Sequence, residues 1–131
     1  MNKVVVYWSG TGNTEALANK IASDLGLDAL SVSNASVDKV LSNDLIIFGC
    51  PAMGAEELEE DEFKPFYEKI MSSIGNKKVA LFGSYGWGDG EWMRLWEAEV
   101  GFNLLGKGLM VNEGIENLNE DEYEAFLALL R

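Results

Sequence analysis

Three short runs of this chain are apolar on consecutive residues, VVVYW at 4–8, LIIFG at 45–49 and VALFG at 79–83, and they restrict the fold more than any other feature. A strand with one face in water alternates apolar and polar residues. A strand buried on both faces does not, so these runs call for a sheet covered on both sides. Between them lie stretches with helical spacing: Leu17, Ile21 and Leu25 fall four apart with Ala18 and Ala22 beside them, one apolar stripe that Gly26 is placed to end. Short apolar runs alternating with amphipathic ones build an α/β fold, a parallel sheet with helices on both faces. The pattern predicts strands near 3–8, 28–32, 44–49, 78–84 and 108–112, and helices near 13–25, 37–42, 62–74, 91–105 and 119–130, with Gly75 and Gly106 stopping the third and fourth. Five such units in 131 residues suit a single doubly wound domain over 1–131, and no repeat or linker divides it. Right-handed crossovers leave the first strand either central or near an edge.

Charge narrows the partners. The chain has 22 acidic and 10 basic residues and no histidine, a formal net charge of −12. Binding to phosphate backbones depends on lysine and arginine, so nucleic acid and anionic membrane surfaces are excluded and a basic protein is the natural complement. Without histidine there is no histidine base and, with one cysteine, no structural zinc site. Cys50 reads as a buried, inert thiol. No apolar run approaches the roughly 20 residues of a membrane helix, and no signal segment precedes the first strand, so a cytoplasmic, monomeric protein is expected.

In a doubly wound sheet the ligand crevice is formed by loops leaving the C-terminal ends of the strands. The first, Ser9-Gly10-Thr11-Gly12-Asn13-Thr14-Glu15, has glutamate where a dinucleotide fingerprint needs its third glycine, and lacks the lysine of a triphosphate loop. What it offers is a tight turn into a helix N-terminus, where backbone N–H groups, hydroxyls and an amide can hold a terminal monophosphate without any cation. The same glycines could equally serve only to turn the chain. The second loop, CPAMGAEE at 50–57, and the third, SYGWGDGEW at 84–92, carry Met53 and Trp87 among glycines. Large apolar side chains there either cap the core or hold a flat ring between them. Trp92 and Trp96, four apart on a helix, read as packing residues, while Trp8 and Tyr85 fit either role.

YWSGTGNTE at 7–15, GCPAMG at 49–54 and FGSYGWGDGEW at 82–92 together resemble the three flavin-mononucleotide loops of short-chain flavodoxins of the clostridial and Megasphaera group, in order and over essentially the whole chain. The resemblance implies a flavodoxin-like three-layer sandwich with strand order 2-1-3-4-5, an order for which flavodoxin is itself the standard example. It implies FMN held through Ser9 to Thr14 at the phosphate, through Pro51, Ala52, Met53, Gly54, Ala55 and Glu56, and through Ser84, Tyr85, Gly86, Trp87, Gly88, Asp89 and Gly90. In that reading Met53 and Trp87 flank the isoalloxazine, Gly86 to Gly90 meet its pyrimidine edge, Glu56 accepts from N3–H, and the Gly54 carbonyl turns toward N5 on reduction. It also implies a low-potential one-electron carrier working mainly between semiquinone and hydroquinone, serving ferredoxin-type oxidoreductases that dock through basic surfaces.

Two departures from the family pattern stand out. The link between the first helix and second strand is several residues short, a change confined to the surface. Ala55 stands where the family more often has aspartate, serine, asparagine or glycine; if the 53–56 turn becomes type II on reduction, its third residue needs a positive φ that alanine resists by about 1 kcal/mol, weakening the semiquinone. Binding needs no lysine, because about thirty ligand heavy atoms at roughly 0.3 kcal/mol each already give sub-micromolar affinity. Six of the seven residues from Glu56 to Glu62 are acidic, which reads as a solvated helix start or as a docking collar. The rival readings are an FMN-dependent NAD(P)H quinone reductase, which needs room for substrate over the flavin, and a cofactor-free binding module.

Overall fold

The apolar runs become the middle of a sheet. In the computed structural model, which describes all 131 residues, β1 (Lys3–Tyr7), β2 (Ala29–Ser31), β3 (Leu45–Gly49), β4 (Lys78–Tyr85) and β5 (Leu109–Asn112) form one parallel sheet in the order 2-1-3-4-5. The register pairs Val5 with Ile47 and Ile47 with Ala80. All five residues of β3 are buried, and they divide by parity as pleating requires. Leu45 and Ile47 join the layer under α1 (Asn13–Leu25) and α5 (Glu120–Leu130), whereas Ile46 and Phe48 join the layer under α3 (Phe63–Met71) and α4 (Glu91–Val100). The second layer is aromatic, with Phe48, Phe63, Tyr67 and Trp96 meeting at centroid separations of 5.2 to 5.9 Å. A short α2 (Val37–Leu41) covers part of the same face. No helix is long and apolar enough to cross a membrane.

The expected element order holds, and the helix ends differ. α1 closes as anticipated, with Gly26 at φ 71 and its N–H donating to Ala22 and Ser23 carbonyls. α3 stops at Met71 with Ser72 as its cap, short of Gly75. α4 ends at Val100, not near 105, because Gly101 leaves the helical region at φ 61 and begins a short 3₁₀ turn. The Asn103 side chain then donates to the Gly75 and Lys77 carbonyls at 2.9 and 2.8 Å, tying this segment to the chain entering β4. Gly106, at φ 92, therefore turns the chain before β5 and caps no helix.

Candidate functional site

Because β1, β3 and β4 are adjacent and parallel, the loops that follow them meet on one edge of the sheet. The first loop delivers Gly12 at φ 97 as the N-cap of α1, a left-handed conformation that needs glycine, which brings no side chain of its own to cap that end. Ser9 Oγ accepts from the N–H groups of Gly12 and Glu15, each at 3.2 Å, and Thr11 Oγ1 from Asn13 N–H at 3.5 Å. The N–H groups of Gly10, Thr11 and Thr14 donate to no protein atom. That is an anion cradle of backbone donors at a helix N-terminus with no cation in it.

The Thr14 hydroxyl is engaged within the protein. Thr14 is buried, its Oγ1 lies 2.7 Å from Ser84 Oγ, and it accepts from Ser84 N–H at 3.3 Å. A buried hydroxyl needs a partner, and β4 supplies it, so this side chain ties the first loop to the third. What Thr14 leaves free is its N–H.

A cavity of about 320 Å³ lies between the three loops, within the roughly 300–1,000 Å³ of small-molecule sites. Trp8, Pro51, Ala52, Met53 and Tyr85 give it apolar walls; Gly10, Thr11, Asn13, Ser84, Gly86 and Glu113 complete it. A polar cavity of about 410 Å³ adjoins it and shares Trp8, Gly10 and Thr11, with Ser9 and Gly12 on its wall. Trp8 thus borders both, and its Nε1 donates to Glu62 Oε1 at 3.1 Å. Met53 and Trp87 do not cap the core, being 37% and 69% exposed; Met53 lines the cavity, and Trp87 projects outward next to Gly86, which lines it. Trp92 and Trp96 are buried packing residues, as their spacing suggests.

The second loop is a tight hairpin. Met53 pairs with Glu57, and Glu56 N–H donates to the Met53 carbonyl at 2.8 Å. Neither Gly54 nor Ala55 has positive φ; the left-handed residue is Glu56, at φ 58. This is a type I turn followed by a left-handed residue, a common three-residue hairpin. In this structure the conformation expected to burden Ala55 is carried by Glu56 instead. The Glu56 carboxylate also has a role beyond the expected one: Oε2 accepts from Trp92 N–H at 2.7 Å, capping α4, and Oε1 lies against Gly88. A β-carbon at Gly88 would collide with it. The remaining lone pairs of this carboxylate are still free to accept.

Within the acidic run, Glu59 is buried and accepts from Asp61, Glu62 and Phe63 N–H at 2.9, 2.8 and 2.7 Å, so it caps α3. Burial pushes its carboxyl upward, and the three backbone donors outweigh that and leave it below its ordinary value. Glu57, Glu60 and Asp61 face solvent. Cys50 is the inert thiol expected: burial pushes it up to about 12.

In the third loop Gly90 is the N-cap of α4, and Asp89 pairs with Arg94 at 3.0 Å, which holds the Asp89 carboxyl below its usual range. Sequence reasoning missed a fourth segment. Asn112 Nδ2 donates to the Tyr85 and Gly86 carbonyls at 3.3 Å, Glu113 N–H donates to Tyr85 at 2.8 Å, and Glu113, at φ 63, lines the cavity. The signal was its position just after a fifth strand on the ligand edge.

A family model described as Flavodoxin matches residues 5–126. The chain is 52% identical over 101 residues to flavodoxin of Clostridium beijerinckii, covering 73% of each, and 45% identical over 124 residues to flavodoxin of Megasphaera elsdenii, covering 88% of this chain and 90% of the relative. The chain belongs to the flavodoxin family. The solution structure of two-electron reduced M. elsdenii flavodoxin superposes with a TM-score of 0.80 at 43% identity over 98% of this chain and 99% of that one.

As a flavodoxin the protein is an FMN-binding electron-transfer protein, not an enzyme, which sets aside the reductase and cofactor-free readings. Its donor set fits the cofactor. Free N–H groups at a helix N-terminus suit a monophosphate, and the apolar walls beside them suit a flat ring. Ser9, Gly10, Thr11 and Gly12 line the polar cavity, and Trp8, Met53 and Tyr85 line the apolar one.

Proposed function

We propose that this flavodoxin is a low-potential, one-electron carrier, working mainly between the one-electron-reduced and fully reduced states of tightly but non-covalently bound FMN, in the cytoplasm, as a single-domain monomer in place of ferredoxin. The observation that carries this reading is the neutral anion cradle within an acidic end of the molecule. Glu15, Glu56, Glu57, Glu60, Asp61, Glu62, Asp89, Glu91 and Glu113 cluster where the strands end, whereas Lys3, Lys77, Lys78 and Lys107 lie where strands begin. FMN supplies the electron chemistry when bound; the protein binds it, shields it and sets its energies. Holding its phosphate without lysine adds no positive charge, and surrounding carboxylates disfavour a further negative charge on the ring, which keeps the potential low.

The same charge distribution supports docking to basic oxidoreductases through the acidic end, speeding encounter without tight binding. Electron exchange between the loaded protein and a basic ferredoxin-type reductase, followed by stopped-flow absorbance, is expected to slow steeply as ionic strength rises. Salt-insensitive rates would sink the docking reading, and rapid NAD(P)H oxidation without added reductase would sink the carrier.

A further inference from the structure

β4 lies between β3 and β5, and its last carbonyls alternate as an extended strand requires. Ser84 accepts from Ala52 N–H at 3.0 Å on the β3 side, and Tyr85 from Glu113 N–H at 2.8 Å on the β5 side. In an extended strand the next carbonyl returns to the β3 side; that of Gly86 does not. Asn112, in register with Tyr85 at the end of β5, donates its Nδ2 to the Tyr85 and Gly86 carbonyls, each at 3.3 Å, and no other protein group donates to the Gly86 carbonyl. Only the NH₂ end of the amide can meet two carbonyls, so one side chain draws two successive peptides to the same side. Asn112 is held from behind, its own carbonyl accepting from Asn117 Nδ2 at 2.9 Å. A trans peptide is planar, with its N–H opposed to its C=O. The Tyr85 and Gly86 carbonyls, turned toward β5, therefore turn the N–H groups of Gly86 and Trp87 toward the second loop, whose Pro51, Ala52 and Met53 line the cavity with Gly86. Neither N–H donates to a protein atom. They are two adjacent, like-directed donors of the kind that hold negative charge.

We propose that Asn112 is a positioning residue for the cofactor: by clamping the Tyr85 and Gly86 carbonyls it presents the Gly86 and Trp87 N–H groups as a pair to a bound flavin ring. The proposal rests on the FMN-carrier reading above and adds the residue that orders its third loop. Without the clamp the ligand itself has to order those two peptides, and that cost is taken from its affinity. Hydrogen bonds to a charged acceptor are stronger than those to a neutral one, so the pair favours the fully reduced ring over the oxidised one. It thereby opposes part of the lowering that the surrounding carboxylates impose on the potential.

The test compares the wild type with Asn112→Leu, which keeps the branching and loses the donors, and with Asn112→Asp, which offers the two carbonyls only acceptors. FMN-free protein is titrated with riboflavin and with FMN by flavin fluorescence, and the potential of the second one-electron step is measured on the loaded protein. Both variants are expected to bind riboflavin and FMN about tenfold more weakly, with the ratio of the two affinities unchanged because the phosphate cradle is untouched. In Asn112→Leu, which adds no charge, the second step should move to a lower potential. Riboflavin affinity and potential both unchanged in Asn112→Leu, with only stability to urea reduced, would make Asn112 a structural tie and overturn the proposal. A loss confined to FMN would overturn it too, and either result leaves the carrier reading standing. Wild-type protein that takes up neither flavin would overturn both.

Discussion

Glu59 receives three backbone N–H groups on a carboxylate that burial alone would push toward neutrality. Its folded pKa is lowered, so the stability it contributes is present above the unfolded value of about 4.3 and is lost as pH falls through the folded pKa. Glu59→Ala should destabilise the protein by about 1–2 kcal/mol in urea unfolding at pH 7, and Glu59→Gln, which keeps one acceptor, by less. Both should flatten the loss of stability below about pH 4.3; an unchanged pH profile would show that Glu59 is not the cap. Ala55 is tested differently. The turn observed here needs no positive φ at Ala55, so the cost arises only if the turn changes type on reduction. Ala55→Gly is then expected to raise the first-electron potential by tens of millivolts, since about 1.4 kcal/mol corresponds to roughly 59 mV for one electron. An unchanged or lower potential would remove Ala55 from the account.

At the scale of elements, loop-to-loop ties decide the site. Thr14 and Ser84, 70 residues apart, join the first loop to β4, and Glu56 joins the hairpin to α4. Thr14→Val keeps the volume and removes the hydroxyl, leaving Ser84 groups unpaired, so it should cost about 1–3 kcal/mol of stability in the FMN-free protein as well. If Thr14→Val instead weakened only FMN binding, the hydroxyl would belong to the phosphate site after all. These ties also mark how much could be read before the fold was known. The strands were legible because VVVYW, LIIFG and VALFG have no polar phase, and the first loop because glycines follow a strand directly. The end of α4 was not, since Gly101 interrupts a helical pattern that continues in side chains to 105. Nor was the left-handed Glu56, a conformation glutamate rarely takes, nor the Glu59 cap, which looks in sequence like one more acid in a run.

For the whole molecule, carboxylates and the cavity share one edge of the sheet, and repulsion between them and a reduced flavin bound there is what the proposed function uses to link fold, charge and electron transfer. Near the cavity mouth Glu113, held at positive φ, adds a carboxylate that no motif announced. Arg94, in α4, is paired with Asp89 of the third loop and contributes little to offset it. The most direct test is a potentiometric titration of the FMN-loaded protein followed by visible absorbance. The account predicts two separate one-electron steps, the second at a potential well below that of free FMN in the same buffer and rising as salt screens the carboxylates. A single two-electron step, or a second step no lower than that of free FMN, would contradict it.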